Sequence, residues 1–342
     1  MKNKAIAAVA AALLAVLTGC GGTAGGGSGG RTVTVYTVDG LEDWYAKRFE
    51  EFKAKTGITV QAVTAGSGEV ASRVEKEKAN PQADVLVTLP PFIQRVASQG
   101  LLTSAAVAGA EQVPAGQRDA QGRYVAMINN YLSFIYNPRH ANPAPKTWDD
   151  LLDGRFKGKI QYSTPGEAGD GTAVLLQLQH VLGEQGALDY LAKLEANNVG
   201  PSSSTGKLQP KVAKGEILVA NGDVQMNLAE IDKSGGFEVF FPADAAGKRS
   251  TFALPYYAGL VTGGPHADHG KQLLEFLLSP EVQAKALEAY GTPARADVTP
   301  AGPQADKVRA ALAGVDIWQP DWNAVLGKLD ADLAAYKKAV GR

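Results

Sequence analysis

The residues in this chain that could do chemistry are mostly small and neutral. Gly66-Ser67-Gly68, Gly169-Asp170-Gly171-Thr172 and Ser202-Ser203-Ser204-Thr205-Gly206 are runs of glycine and hydroxyl side chains, and the stretches 37–40, 88–91 and 163–172 have a similar make-up. Glycine lets a ligand come close to the backbone, and Ser and Thr hydroxyls add donors. A helix that opens just beyond such a loop presents unpaired amides at the positive end of its dipole. Together these groups hold an anion without Lys or Arg. One such run alone is an ordinary helix cap. Several on one side of a sheet describe a site.

Catalysis is poorly supplied. Cys20 is the only cysteine, and the four histidines are His140, His180, His266 and His269. His266 and His269 have no third ligand close by in sequence and read as surface residues rather than a metal site. Ser163-Thr164-Pro165-Gly166 is not the Gly-x-Ser-x-Gly turn that presents a serine nucleophile. The run at 202–207 matches only the tail of a phosphate-binding P-loop. The chain therefore reads as a binder, not an enzyme, and as needing no cofactor.

The elements that must position these loops alternate in type. Residues 32–37, 58–63 and 83–88 read as strands, separated by helical patterns at 42–56 and 69–79. This βαβαβ order opens a parallel sheet with helices on both faces. Such sheets bind ligands beyond the carboxyl ends of their strands, where the small polar loops fall. A second α/β unit follows, with a strand at 159–162, helices at 173–182 and 189–196, and a strand at 217–220. Extended segments at 129–136 and 251–261 join the two units. The pattern predicts a two-lobed clamp: one lobe of 31–128 and 255–342, including the C-terminal helices, and another of 129–254.

The N-terminus sets the compartment. Lys2 and Lys4 precede an apolar run at 5–17, too short to span a bilayer comfortably. Leu17-Thr18-Gly19-Cys20 matches the lipobox of bacterial lipoproteins, so 1–19 is expected to be a signal peptide and Cys20 the lipidated mature N-terminus. The glycine-rich stretch 20–30 is expected to be a flexible tether. The body would then stand on the outer face of a cell membrane or on its periplasmic side. Lys plus Arg number 34 against 35 Asp plus Glu, with no long basic block, which argues against nucleic acid as a partner.

Several long blocks carry a family resemblance. They are the run 80–91, the run 129–137 with Asn129-Asn130-Tyr131, the run 157–166 with the following Gly169-Asp170-Gly171-Thr172-Ala173, the run 196–207, and Phe252-Ala253-Leu254-Pro255-Tyr256-Tyr257. In these blocks the chain resembles the solute-binding proteins of ABC transporters, in the branch with ferric-iron-binding and 2-aminoethylphosphonate-binding members. The resemblance implies a type II clamp: two α/β lobes, a two-stranded hinge at 129–131 and 254–257, and a ligand between the lobes. It also implies an ABC permease as partner and a monomeric body. Iron-binding relatives use a His, a Glu and a consecutive Tyr pair. Here Gly40 and Gly68 fall at the first two positions and Asn221-Gly222-Asp223 at the pair, so an iron or other metal–anion binder is the second reading.

For an aminophosphonate the resemblance implies an anion seat at Gly171, Thr172 and Ala173, with help from Ser163, Ser203, Ser204, Thr205, Ser67 and Asn221. Asp223 would take the ammonium, with Asp39 and Glu69 next in order. Thr37, Thr88 and Asn130 lie on the same loops and hinge, and Tyr257 would pack on the two-carbon linker or donate its hydroxyl.

Overall fold

The alternation around Val33 and Val35 becomes the first strand, β1 (Thr32–Val38), in the computed structural model, which describes residues 31–342. The leader, Cys20 and the tether expected at 1–30 lie outside the described residues. Helix α1 (Glu42–Thr56) follows because its aromatic residues share one face: Trp44, Tyr45, Phe49 and Phe52 are buried. Glu42 and Asp43 stand in its first turn and Lys53 and Lys55 in its last, matching the helix dipole. Gly57 ends it at φ 72°, donating its N–H to Lys53 O, a conformation that costs glycine little.

The first lobe continues with β2 (Thr59–Ala65), α2 (Ser67–Lys76), β3 (Val85–Thr88), α3 (Phe92–Ser98), β4 (Leu102–Thr103) and β5 (Val125–Asn129). β1 pairs in parallel with both β2 and β3, the arrangement a βαβαβ run requires. All four residues of β3 are buried, as expected for a strand covered on both faces.

The chain then crosses into a second sheet. Its elements are β6 (Leu132–Tyr136), β7 (Ile160–Gln161), α4 (Gly169–Leu194), α5 (Gln209–Lys214), β8 (Val219–Asp223), α6 (Val224–Lys233) and β9 (Glu238–Phe240), with strand order β7-β8-β6-β9. The two helices expected at 173–182 and 189–196 are both present within α4, separated by a kink at Gly183 with φ 76° and ψ 167°.

β10 (Ser250–Phe252) leads back to the first sheet as β11 (Tyr256–Val261). The chain ends with α7 (Ala267–Leu277), α8 (Pro280–Ala284), β12 (Thr292–Pro293), α9 (Pro303–Ala311), β13 (Asp316–Trp318) and α10 (Trp322–Ala339). The first sheet has the order β12-β5-β11-β3-β1-β2, with β4 against β11. It is mixed rather than parallel throughout. β11 runs antiparallel to β3 and β5 because it returns directly from the second lobe, without the helical crossover that a parallel neighbour needs.

The two crossings lie side by side. Leu254 N donates to Asn130 O at 2.8 Å, and Tyr131 forms an antiparallel bridge with Ala253. The C-terminal segment departs from the expected layout, in which it stays with the first lobe. β13 pairs with β10, and α10 reaches both lobes: Tyr336 Oη lies 3.2 Å from Tyr162 Oη, and Asp330 pairs with Arg95 at 3.2 Å. Its apolar side chains find uncovered surface on α4 and α3 that helical periodicity alone does not reveal. Among the described residues, no helix is long and apolar enough to cross a membrane.

Candidate ligand-binding site

The loops after β1 and β2 touch the second lobe. Asp39 Oδ2 accepts from Ser204 Oγ at 2.6 Å and from Gly206 N at 2.9 Å. Gly68 N donates to Glu167 O at 2.9 Å, and Gln225 Nε2 to Gly40 O at 3.0 Å. Glycine is required at this seam. A Cβ on Gly66 would stand 2.6 Å from Ser203 O, and one on Gly68 would stand 2.0 Å from Gly166 O. A cleft of about 520 Å³ opens beside Asp39, lined by Gly66, Glu69, Ser203, Ser204 and Lys207 among others. Glu69 is exposed at this cleft.

Beneath the seam lie buried carboxyl groups. Asp223 is the last residue of β8 and the N-cap of α6, and its Oδ1 accepts from Met226 N at 2.6 Å. Tyr256 Oη lies 3.3 Å from Asp223 Oδ2 and 3.2 Å from Gln225 Oε1. Asn130 Oδ1 braces the same turn by accepting from Gln225 N at 3.1 Å and Tyr131 N at 2.8 Å. Burial pushes the Asp223 carboxyl up to about 7, against the pull of the Met226 amide. Asp170, in the first turn of α4, is only 3% exposed. Burial raises its pKa well above the carboxylate range, and the nearby charges of Asp223 and Asp39 raise it further.

Two buried polar atoms in this region have no hydrogen-bond partner: Asp170 Oδ1 and Thr37 Oγ1. An unpaired buried polar atom costs about 1–3 kcal/mol, a cost that a ligand group reaching it would relieve.

The hydroxyl-rich loops of the second lobe are knitted together. Ser163 Oγ accepts from Thr205 Oγ1 and from Asn221 Nδ2, both at 3.0 Å. Asn221 Oδ1 accepts from Ser163 N at 2.8 Å. Thr172 Oγ1 donates to Ala168 O at 3.1 Å and accepts from Gly166 N at 2.9 Å. Gly171 must lack a side chain, because a Cβ there would stand 2.2 Å from Ser163 O. Ala173 is buried behind it. On the first lobe Ser67 opens α2, and its carbonyl accepts from Thr88 Oγ1 at 3.1 Å.

The structure thus gathers Asp39, Glu69, Ser203 and Ser204 at the cleft and sets Asp223 and Asn130 below them. Tyr257 does not join this group. Its ring packs edge-on against Tyr124 at 5.3 Å, and it borders a different cavity beside Trp322. Its neighbour Tyr256 faces Asp223 instead, since successive strand residues point to opposite faces. Sequence reasoning missed Asp170, Tyr256 and Gln225 as site residues. Asp170 had a signal, standing inside the glycine motif at 169–172. Among the described residues, no three His, Cys, Asp or Glu side chains lie close enough to hold a metal ion together.

Two α/β lobes, paired crossing strands and a cleft between the lobes define a type II solute-binding protein. The periplasmic binding protein P5PA superposes with a TM-score of 0.81 at 21% identity, over 90% of this chain and 99% of that one. The apo ferric ion-binding protein A of Pasteurella haemolytica superposes with a TM-score of 0.71 at 18% identity, over 90% of this chain and 98% of that one. The chain belongs to the family of bacterial extracellular solute-binding proteins, whose model matches residues 80–325. A Salmonella paratyphi A protein named for periplasmic 2-aminoethylphosphonate binding is 51% identical over 312 residues, covering 90% of this chain and 91% of that one. The chain is a binding component of an import system, working outside the cytoplasm, where such proteins deliver a small solute to a permease.

Proposed function

We propose that this protein captures 2-aminoethylphosphonate, or a closely related aminophosphonate, between its lobes and hands it to an ABC permease. The observation that carries this reading is the 51% identity, over nine-tenths of the chain, to a protein named for that ligand. The site chemistry supports it. The ligand has an anionic end and an ammonium two carbons away. The cleft offers the Asp39 carboxylate for the cation, with the buried carboxyl groups of Asp223 and Asp170 beneath the seam, and hydroxyls, amides and helix starts for the anion. The lobes are those of 31–128 with 255–342, and 129–254, with the last helix reaching across to the second lobe. The body acts as a monomer, tethered through 20–30 to a lipid on Cys20.

A ligand-dependent thermal shift tests the function. A solute at a hundred times its Kd stabilises the folded protein by about 2.7 kcal/mol. The shift should appear with 2-aminoethylphosphonate and not with ferric citrate, spermidine or inorganic phosphate at equal concentration. A shift with ferric citrate alone would overturn the reading in favour of a metal–anion binder.

A further inference from the structure

The family resemblance places the ligand's phosphonate on the start of α4, yet the hydroxyl donors there are already engaged. Thr172 Oγ1 donates to Ala168 O, and Thr205 Oγ1 donates to Ser163 Oγ. The Ser163 amide donates to Asn221 Oδ1. The start of α4 also carries Asp170, adjacent to Gly171, with Oδ1 buried and unpartnered. An anion seated here would meet a carboxyl group, whereas an ammonium would meet an acceptor. On the first lobe the unpartnered buried atom is Thr37 Oγ1, a potential donor near the carboxyl end of β1 and two residues before Asp39.

We infer that Asp170, together with Asp223, holds the ammonium of the aminophosphonate, and that the phosphonate end turns away from α4, towards Thr37 on the first lobe. The inference rests on the ligand class proposed above and reverses the orientation expected from sequence. Asp170 is then a specificity-determining residue: it selects the amine-bearing phosphonate over an amine-free one of similar size. Asp223, Asp39 and the Thr205 hydroxyl are near enough to act on it, and none of them brings a positive charge.

Calorimetric titration of the mature chain with 2-aminoethylphosphonate and with ethylphosphonate reads the assignment, paired with a crystal structure of the wild-type complex. Asp170→Asn should weaken 2-aminoethylphosphonate about tenfold or more and leave ethylphosphonate within about twofold of wild type, or tighter. Thr37→Val should weaken both ligands alike. The complex should place the ligand nitrogen within hydrogen-bond distance of Asp170 Oδ1, a readout that does not depend on the variant folding or on ethylphosphonate binding. Equal losses for both ligands in Asp170→Asn, or a phosphorus atom seated on α4 with the nitrogen elsewhere, overturns the orientation while leaving the ligand class intact. Wild-type protein that binds neither compound overturns the ligand class, and this inference with it.

Discussion

Asp223 has two duties that one substitution separates. Its Oδ1 caps α6 through Met226 N, and its charge faces the space beneath the lobe seam. Asn caps a helix as well as Asp does, so Asp223→Asn keeps the cap and removes the charge. The pH dependence follows from burial. A carboxyl whose folded pKa is raised to about 7 holds its proton more tightly in the folded chain than in the unfolded one. Stability of the ligand-free protein therefore falls as pH climbs from the ordinary carboxylate range to about 7, and levels off above. An ammonium ligand needs the carboxylate form, so stabilisation by ligand should grow over the same window. Scanning fluorimetry from about pH 5 to pH 8 should show both slopes in the wild type and shallower ones in Asp223→Asn. The variant should also bind the aminophosphonate tens-fold more weakly, since truncating a buried charge pair costs about 2–5 kcal/mol. Identical slopes in variant and wild type would remove Asp223 from the titrating site. At this scale the sequence was only partly legible. Asp223 could be singled out by family resemblance, but the choice between Tyr256 and Tyr257 could not be made, because the register of β11 against β5 shifts between them.

At the scale of elements, the glycines at helix starts do different work. Gly171→Ala would drive a methyl into the Ser163 carbonyl within the second lobe, and should lower the thermal midpoint with or without ligand. Gly68 lies in α2 of the first lobe, and its obstacle is Gly166 O of the second. Within the first lobe the new methyl would stand 3.2 Å from Phe92 Cε1, so that ring must give by a few tenths of an ångström, a cost offset by alanine's preference for helix over glycine of about 1 kcal/mol, and Gly68→Ala should leave the separate lobes about as stable as before. Closure is what it obstructs. Calorimetry should show aminophosphonate affinity reduced about tenfold or more. Small-angle scattering should show wild-type protein contracting on ligand while Gly68→Ala keeps its ligand-free radius. Contraction of the variant to the wild-type radius would mean that the seam yields and that Gly68 is no closure residue. The opening βαβαβ run was legible here because strand and helix periodicities differ. The antiparallel return of β11 was not, since it depends on where a distant segment re-enters the sheet.

Over the whole molecule, two crossing strands and one long helix connect the lobes. α10 touches both, through Tyr336 with Tyr162 and through Asp330 with Arg95. A body built this way can close as two rigid units about Asn130–Tyr131 and the segment leading into β11. Its capture role requires it to stay near its permease, and the lipobox at Cys20 would supply the anchor. A multiply acylated cysteine anchors stably where a single chain binds only marginally. Cys20→Ser should therefore move the protein from the membrane fraction to the soluble fraction on cell fractionation. An uncleaved, membrane-bound Cys20→Ser protein would show that the leader is not a lipoprotein signal.

What the sequence by itself determined was local and periodic: the alternating strands, the aromatic face of α1, the glycine–hydroxyl loops at strand ends and the family blocks that name a solute-binding clamp. These follow from short-range geometry, which a linear order of residues encodes directly. What only the tertiary structure decided was which of those loops meet. It set Asp39 against Ser204 and Gly206, buried both Asp170 and Asp223, turned Tyr256 to the site and Tyr257 away, and laid the C-terminal helix across both lobes. Each of these depends on contacts between residues far apart in the chain, and on burial, which sets both the pKa of a carboxyl and the cost of leaving it unpaired.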